Sequence, residues 1–154
     1  YAKNQDQLAA VMGHEVAHVI AKHGNERVFN QMATEAGMSI ATAVLGGTQN
    51  ENSTLILAGL GLGAQYGILL PFSRSHESEA DLIGLDLMAK AGFDPAQSVP
   101  LWQNMSQSGS SPPEFMSTHP SSNTRISQLK ERIPAANIAY QEAVRKGQRA
   151  NCKL

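Results

Sequence analysis

Hydrophobic and polar positions along this chain recur with helical rather than strand periods. Between Asn4 and His23, Leu8, Val11, Met12, Val16, Val19 and Ile20 fall at helical intervals, with Asp6 as a candidate cap and Gly24 as the stop. These apolar positions cover more than one stripe, which predicts a helix buried on most of its sides. Residues 36–72 then carry one charge, Glu51. Two apolar blocks, Ala36–Gly47 and Leu55–Phe72, flank a polar turn, Thr48–Thr54. The second block is at the lower edge of bilayer-spanning length, yet it contains Gly59, Gly61, Gly63, Gly67 and Gln65. It reads first as a buried core helix that packs closely through its small residues. Contact with a membrane, or cover by a partner, is the alternative.

A second strong helix is predicted from Ser73 to Ala91, ended by Gly92. Asp94-Pro95 supplies a cap and a first-turn proline for a third, reaching about Gln107. Ser108–Pro120 is a Ser/Gly/Pro loop. A short helix is predicted from Asn123 to Ile133, with Ile126, Leu129 and Ile133 on one face. Pro134 breaks it, and a last helix covers Ala135–Gly147. No segment alternates with period two and none repeats. The expected fold class is mainly α, in one domain covering residues 1–154.

Composition narrows this picture. Charged residues are 16% of the chain, against roughly a quarter in an ordinary soluble domain. The chain therefore has less solvated surface than usual, or a partner covers part of it. Net charge is −1, and no basic face with interleaved aromatics offers itself to nucleic acid. The basic excess sits in residues 125–154, read as a solvated C-terminal helix rather than a membrane-surface contact. Cys152 is the lone cysteine, so no intrachain disulfide forms. The chain starts at Tyr1 without a methionine or signal pattern and reads as a fragment or processed product.

The chemistry concentrates in His14-Glu15-Val16-Ala17-His18. Two histidines four apart on a helix share a face, so their rings can converge on one metal ion. Glu15 is rotated about 100° round the axis. That suits a general base acting on a metal-activated water better than a third ligand. As ordinary residues, these three polar groups on an apolar helix would cost several kcal/mol of unpaired burial. Zinc in a hydrolytic site takes three protein ligands and keeps one open position. Glu77 and Asp81 are four apart and share a face, whereas Glu79 points nearly the opposite way. Glu77 is therefore the candidate third ligand and Asp81 the carboxylate that orients a zinc histidine. The alternative makes Glu79 the ligand and Glu77 a surface charge.

His-Glu-x-x-His followed by Ser73-Arg74-Ser75-His76-Glu77-Ser78-Glu79-Ala80-Asp81 resembles the HtpX and CAAX-prenyl-protease family of zinc endopeptidases. These are gluzincins, and the likeness is greatest to the soluble, periplasmic BepA-like and LoiP-like bacterial members. Ile83-Gly84, Gly92-Phe93-Asp94-Pro95, Ser117-Thr118-His119-Pro120 and Arg125-Ile126 extend it over most of residues 8–133. The resemblance implies a gluzincin-like helical core with His14, His18 and Glu77 as ligands of one zinc per chain, Glu15 as base and Asp81 in support. It implies that His119 and Arg125 face the zinc and steady the oxyanion. It also implies unfolded or misassembled envelope proteins as substrates, association with a membrane or outer-membrane proteins, and a periplasmic location. Such enzymes carry strands before His-Glu-x-x-His, and only thirteen residues precede His14 here. The chain thus reads as a catalytic core truncated at its N-terminus, its membrane anchor, if any, lying in the missing segment.

On chemistry alone, a loop histidine can donate to an oxyanion and an arginine can supply fixed charge there. His119 can also occupy the open coordination position and hold the site latent. A chaperone-like binding module with a closed, structural zinc site is the competing reading. His23 and His76 have no assigned role and are expected on the surface.

Overall fold

The computed structural model describes residues 2–45, 51–107, 119 and 123–152. The described residues are helical and include no strand. The order is α1 (Gln5–Ile20), α2 (His23–Leu45), α3 (Glu51–Ala64), a π-helical turn (Gln65–Leu69), α4 (Leu70–Lys90), a 3-10 turn (Pro95–Gln97), α5 (Ser98–Ser106) and α6 (Asn123–Arg145). The chain divides into two compact units: Tyr1–Ala21 with Glu77–Leu154, and Lys22–His76. The predicted loop from Ser108 lies outside the described residues except for His119.

In the first unit, the core is built from one stripe of each helix. Ala10, Leu85, Met88, Ala89, Val99, Leu101, Trp102, Met105, Leu129 and Ala136 form it. α1 buries the Gln7–Ala10–Gly13/His14–Ala17 stripe, with Ala9 and Val11 packed half-buried beside it. Its second apolar stripe, including Met12, Val16, Val19 and Ile20, is exposed. The expectation of a helix buried on most sides therefore fails, because no described element packs on that second face. Asn4 caps α1, its side chain accepting from the Gln7 N–H at 2.9 Å. Asp6, the expected cap, instead accepts from the Asp94 N–H at 2.9 Å and so ties α1 to the turn before α5. Asp94 caps that turn through the Ala96 N–H, with Pro95 next to it as predicted.

Three sequence expectations fail for identifiable reasons. α1 ends at Ile20, and Lys22 makes the turn in the left-handed region (φ 60°) normally left to glycine. Gly24, the expected stop, lies inside α2. Pro134 lies inside α6 and does not break it. An internal proline costs about 3 kcal/mol, but Leu129 on one side and Ala136 and Ala143 on the other are buried, so both halves are held in line. Pro71 falls in the first turn of α4, just after the π turn. It lacks the N–H that would continue the α ladder, and a widened turn is one way to absorb that loss.

The second unit is a hairpin of α2 and α3 continuing into the start of α4. The block Leu55–Phe72 was expected to be core. It is helical, but Leu55, Ile56, Leu60, Leu62, Tyr66 and Ile68 are exposed. His23 and His76 were expected on the surface, yet both are buried. Their rings stack at 4.1 Å, and His76 Nε2 donates to Glu26 Oε2 at 2.9 Å. That pairing satisfies a buried polar ring. It joins residues fifty positions apart, beyond any local spacing rule.

One contact sets the spacing of α1 and α4. A Cβ on Gly84 would lie 2.7 Å from Gly13 C and from His14 N, and a Cβ on Gly13 would lie 2.7 Å from Gly84 O. The two backbones touch, which only glycine permits. Gly84→Ala is expected to lose about 1–3 kcal/mol in chemical denaturation. Gly37→Ala, which meets nothing within 4 Å, is expected to gain up to about 1 kcal/mol.

Candidate metal centre

The glycine contact lies one residue from His14, so it delivers the α1 histidines directly to α4. On α4, Glu77, Asp81 and Gly84 fall at intervals of four and three and share a face. His14 Nε2 is 3.1 Å from His18 Nε2 and 3.4 Å from Glu77 Oε2. His18 Nε2 is 3.3 Å from Glu77 Oε1. His119 Nδ1 joins them, 3.3 Å from His14 Nε2 and 3.0 Å from Glu77 Oε1. One donor atom from each of these four residues lies within 4.8 Å of every other, and the set can hold a metal ion. Glu79 is exposed and is not among them.

The surroundings decide which atoms are free to bind. Asp81 Oδ1 lies 3.0 Å from His14 Nδ1. A carboxylate only accepts, so Nδ1 carries the hydrogen and Nε2 presents its lone pair to the cluster. Arg125 clamps the other side of Asp81, with Nε donating to Oδ2 at 2.6 Å and Nη2 to Oδ1 at 2.8 Å. Its Nη1 is 3.0 Å from Glu77 Oε2. His14, Glu77, Asp81 and Arg125 are each at most 5% exposed. Buried charges of this kind persist only when paired and hydrogen-bonded. Two imidazole nitrogens and a carboxylate oxygen, with the tautomer set from behind, fit a divalent ion of borderline softness such as zinc.

Titration follows from the same contacts. Burial works against a charged His14 ring, but hydrogen bonds to Asp81 and Glu77 outweigh it and raise the pKa. Burial pushes the Glu77 carboxyl up, but the hydrogen bonds from His119, His14 and His18 and the charge of Arg125 hold it far below the usual carboxylate range. Without a cation the His14 ring therefore holds a proton more readily while Glu77 stays ionised, and metal uptake must displace the His14 proton.

Glu15 stands at the rim, with its side chain 47% exposed and Oε1 3.6 Å from His119 Nε2. Arg125 is not at the rim. Its fork is engaged by two carboxylates inside the protein, so the expected oxyanion contact does not suit this placement. Trp102 had no part in the sequence reading. Its ring lies edge-on to His14 at 5.6 Å, and the Arg125 guanidinium lies 4.3 Å above it. Its only sequence signal is its singularity, one tryptophan on the helix behind the Asp94-Pro95 cap.

The profile of Peptidase family M48 matches residues 1–133. The mitochondrial metalloendopeptidase OMA1 of Schizosaccharomyces pombe is 39% identical over 139 residues, covering 88% of this chain and 39% of that protein. Its counterpart in Saccharomyces cerevisiae is 32% identical over 148 residues, covering 91% and 40%. The beta-barrel assembly-enhancing protease of Yersinia pestis is 30% identical over 138 residues, covering 86% and 28%. The chain thus spans well under half the length of these relatives. No solved structure gives a significant match.

Metal content separates the carboxylates. Glu77→Ala is expected to lose bound zinc and Glu79→Ala to keep it. Asp81→Asn should weaken zinc about 10–100-fold in a competition titration with a chromogenic chelator. Zinc retention by Glu77→Ala would refute the ligand assignment.

Proposed function

The chain belongs to peptidase family M48, and on that footing we propose that it carries the catalytic centre of a zinc-dependent metalloendopeptidase. The observation that carries this reading is the convergence of His14 Nε2, His18 Nε2 and a Glu77 oxygen beside a solvent-open glutamate. His14, His18 and Glu77 would hold the ion. Zinc, when bound, supplies a Lewis acid that lowers the pKa of water toward neutrality. Glu15 takes the proton of the attacking water and returns it to the leaving amine. Asp81 keeps His14 in the ligating tautomer. Arg125, lying on Trp102, holds Asp81 and Glu77 in place and so acts as a positioning residue. His119 Nε2 faces the rim, where it can donate to the developing oxyanion.

The substrates we assign are unfolded or misassembled envelope and membrane proteins. The bacterial relative's name ties that protein to β-barrel assembly, in line with a periplasmic setting. The fungal relatives' name points to mitochondria. Proteolysis next to β-barrel assembly is the reading the bacterial name supports for the whole protein.

One observation favours a second, regulatory reading. His119 Nδ1 lies 3.0 Å from Glu77 Oε1 and 3.3 Å from His14 Nε2, against 3.3 Å and 3.1 Å for His18 Nε2. As a fourth ligand it would close the position that water needs, and the site would be latent.

Two measurements test these readings. Glu15→Gln is expected to cut hydrolysis of an unfolded protein by about 10²–10⁴-fold while zinc content stays at the wild-type level. Unchanged proteolysis would end the peptidase reading. His119→Ala is expected to raise the rate if the side chain closes the site. A rate that only falls would leave His119 as an oxyanion donor.

A further inference from the structure

The hairpin Lys22–His76 has very little interior. Its two helices meet along a narrow, half-buried seam that includes Thr34, Met38, Ala41 and Gly61, with the Met38 methyl 3.8 Å from the place a Gly61 Cβ would take. Most of the large apolar side chains of the hairpin are exposed instead. Val28, Met32, Ile40 and Val44 form an i, i+4 stripe on α2, and Leu55, Ile56, Leu62 and Tyr66 stand out from α3. Each is between 49% and 73% exposed. By length and composition the helix Asn52–Lys90 contains a stretch apolar enough to cross a bilayer, and none of that stretch is buried.

A second stripe on α2 decides how such a surface can meet lipid. Arg27, Gln31, Glu35, Ser39 and Thr42 run beside the apolar stripe, and Gln31 donates to Glu35 at 3.0 Å. In the antiparallel hairpin, Met38 beside Gly61 puts Glu35 level with Ala64, inside the apolar block. A spanning orientation would carry that carboxylate into hydrocarbon, at a cost of several kcal/mol. An in-plane orientation leaves the polar stripe in water and the apolar stripe in acyl chains. The cations of this unit, Lys22, Arg27 and Arg74, all lie at the end where the chain enters and leaves the hairpin. At that end Glu26 is engaged by His76, so the cations match anionic headgroups.

We propose that the α2–α3 hairpin is a lipid-docking element that lies side-on in the interfacial layer of an anionic phospholipid bilayer. The docking is independent of the peptidase reading and is measured without any cleavage. The intact chain is expected to float with vesicles of phosphatidylcholine and phosphatidylglycerol, and less with phosphatidylcholine alone. Ile40→Glu combined with Leu62→Glu should lower the bound fraction about tenfold or more, with circular dichroism and zinc content unchanged. A polarity-sensitive dye in a Cys152→Ser background should shift to the blue on vesicle addition at Ile40→Cys and not at Ser39→Cys. Failure to float, or flotation that the glutamates leave intact, overturns the proposal. So does a dimer without vesicles that the same glutamates dissolve, which would make a second copy the occupant. Equal blue shifts at both cysteines would mark a span and overturn the side-on placement.

Discussion

The metal centre depends on two glycines. Gly13 and Gly84 bring the backbones of α1 and α4 into contact, and any side chain at either place would force them apart. His14 follows Gly13 directly, and Asp81 precedes Gly84 by one turn, so the contact and the His14–Asp81 hydrogen bond fix one another. A zinc–nitrogen bond of about 2 Å tolerates little error. Contact between main chains leaves fewer degrees of freedom than contact between long side chains, which can change rotamer.

Behind that crossing, charge is arranged in a chain. Arg125 bridges Asp81 and Glu77 and offsets one of their two charges, Asp81 orients His14, and Trp102 covers both Arg125 and the His14 ring. Each member would be costly alone in so buried a place. Together they satisfy one another, and the exposed Glu15 stands at the edge of the centre. The separation suits the proposed chemistry, because His14, Glu77 and Asp81 are buried while Glu15, the proposed base, is open to solvent.

Much of this was legible in the sequence because helices display it locally. The His14–His18 and Glu77–Asp81 intervals place side chains on common faces by geometry alone, and Asp94-Pro95 announces a cap. What stayed hidden was tertiary. Trp102 and Arg125 meet His14 only once three helices have packed. The burial of His76 depends on His23 and Glu26, about fifty positions earlier in the chain. Lys22 turns the backbone where a glycine would have signalled it, and Pro134 passes through a helix because both neighbouring turns are anchored. Apolar patterning was read as burial on α1 and α3, but periodicity reports which side is hydrophobic and not what covers it.

The guanidinium of Arg125 has a further consequence for the life of the centre between metal ions. It cannot lose its proton in any physiological range, so the two carboxylates keep a permanent countercharge whether or not a cation sits in front of them. Small zinc-nucleated modules come apart when stripped because nothing else offsets their ligands. This centre has its own resident positive charge behind the ligands, which lessens the repulsion between Asp81 and Glu77 when no cation sits in front of them.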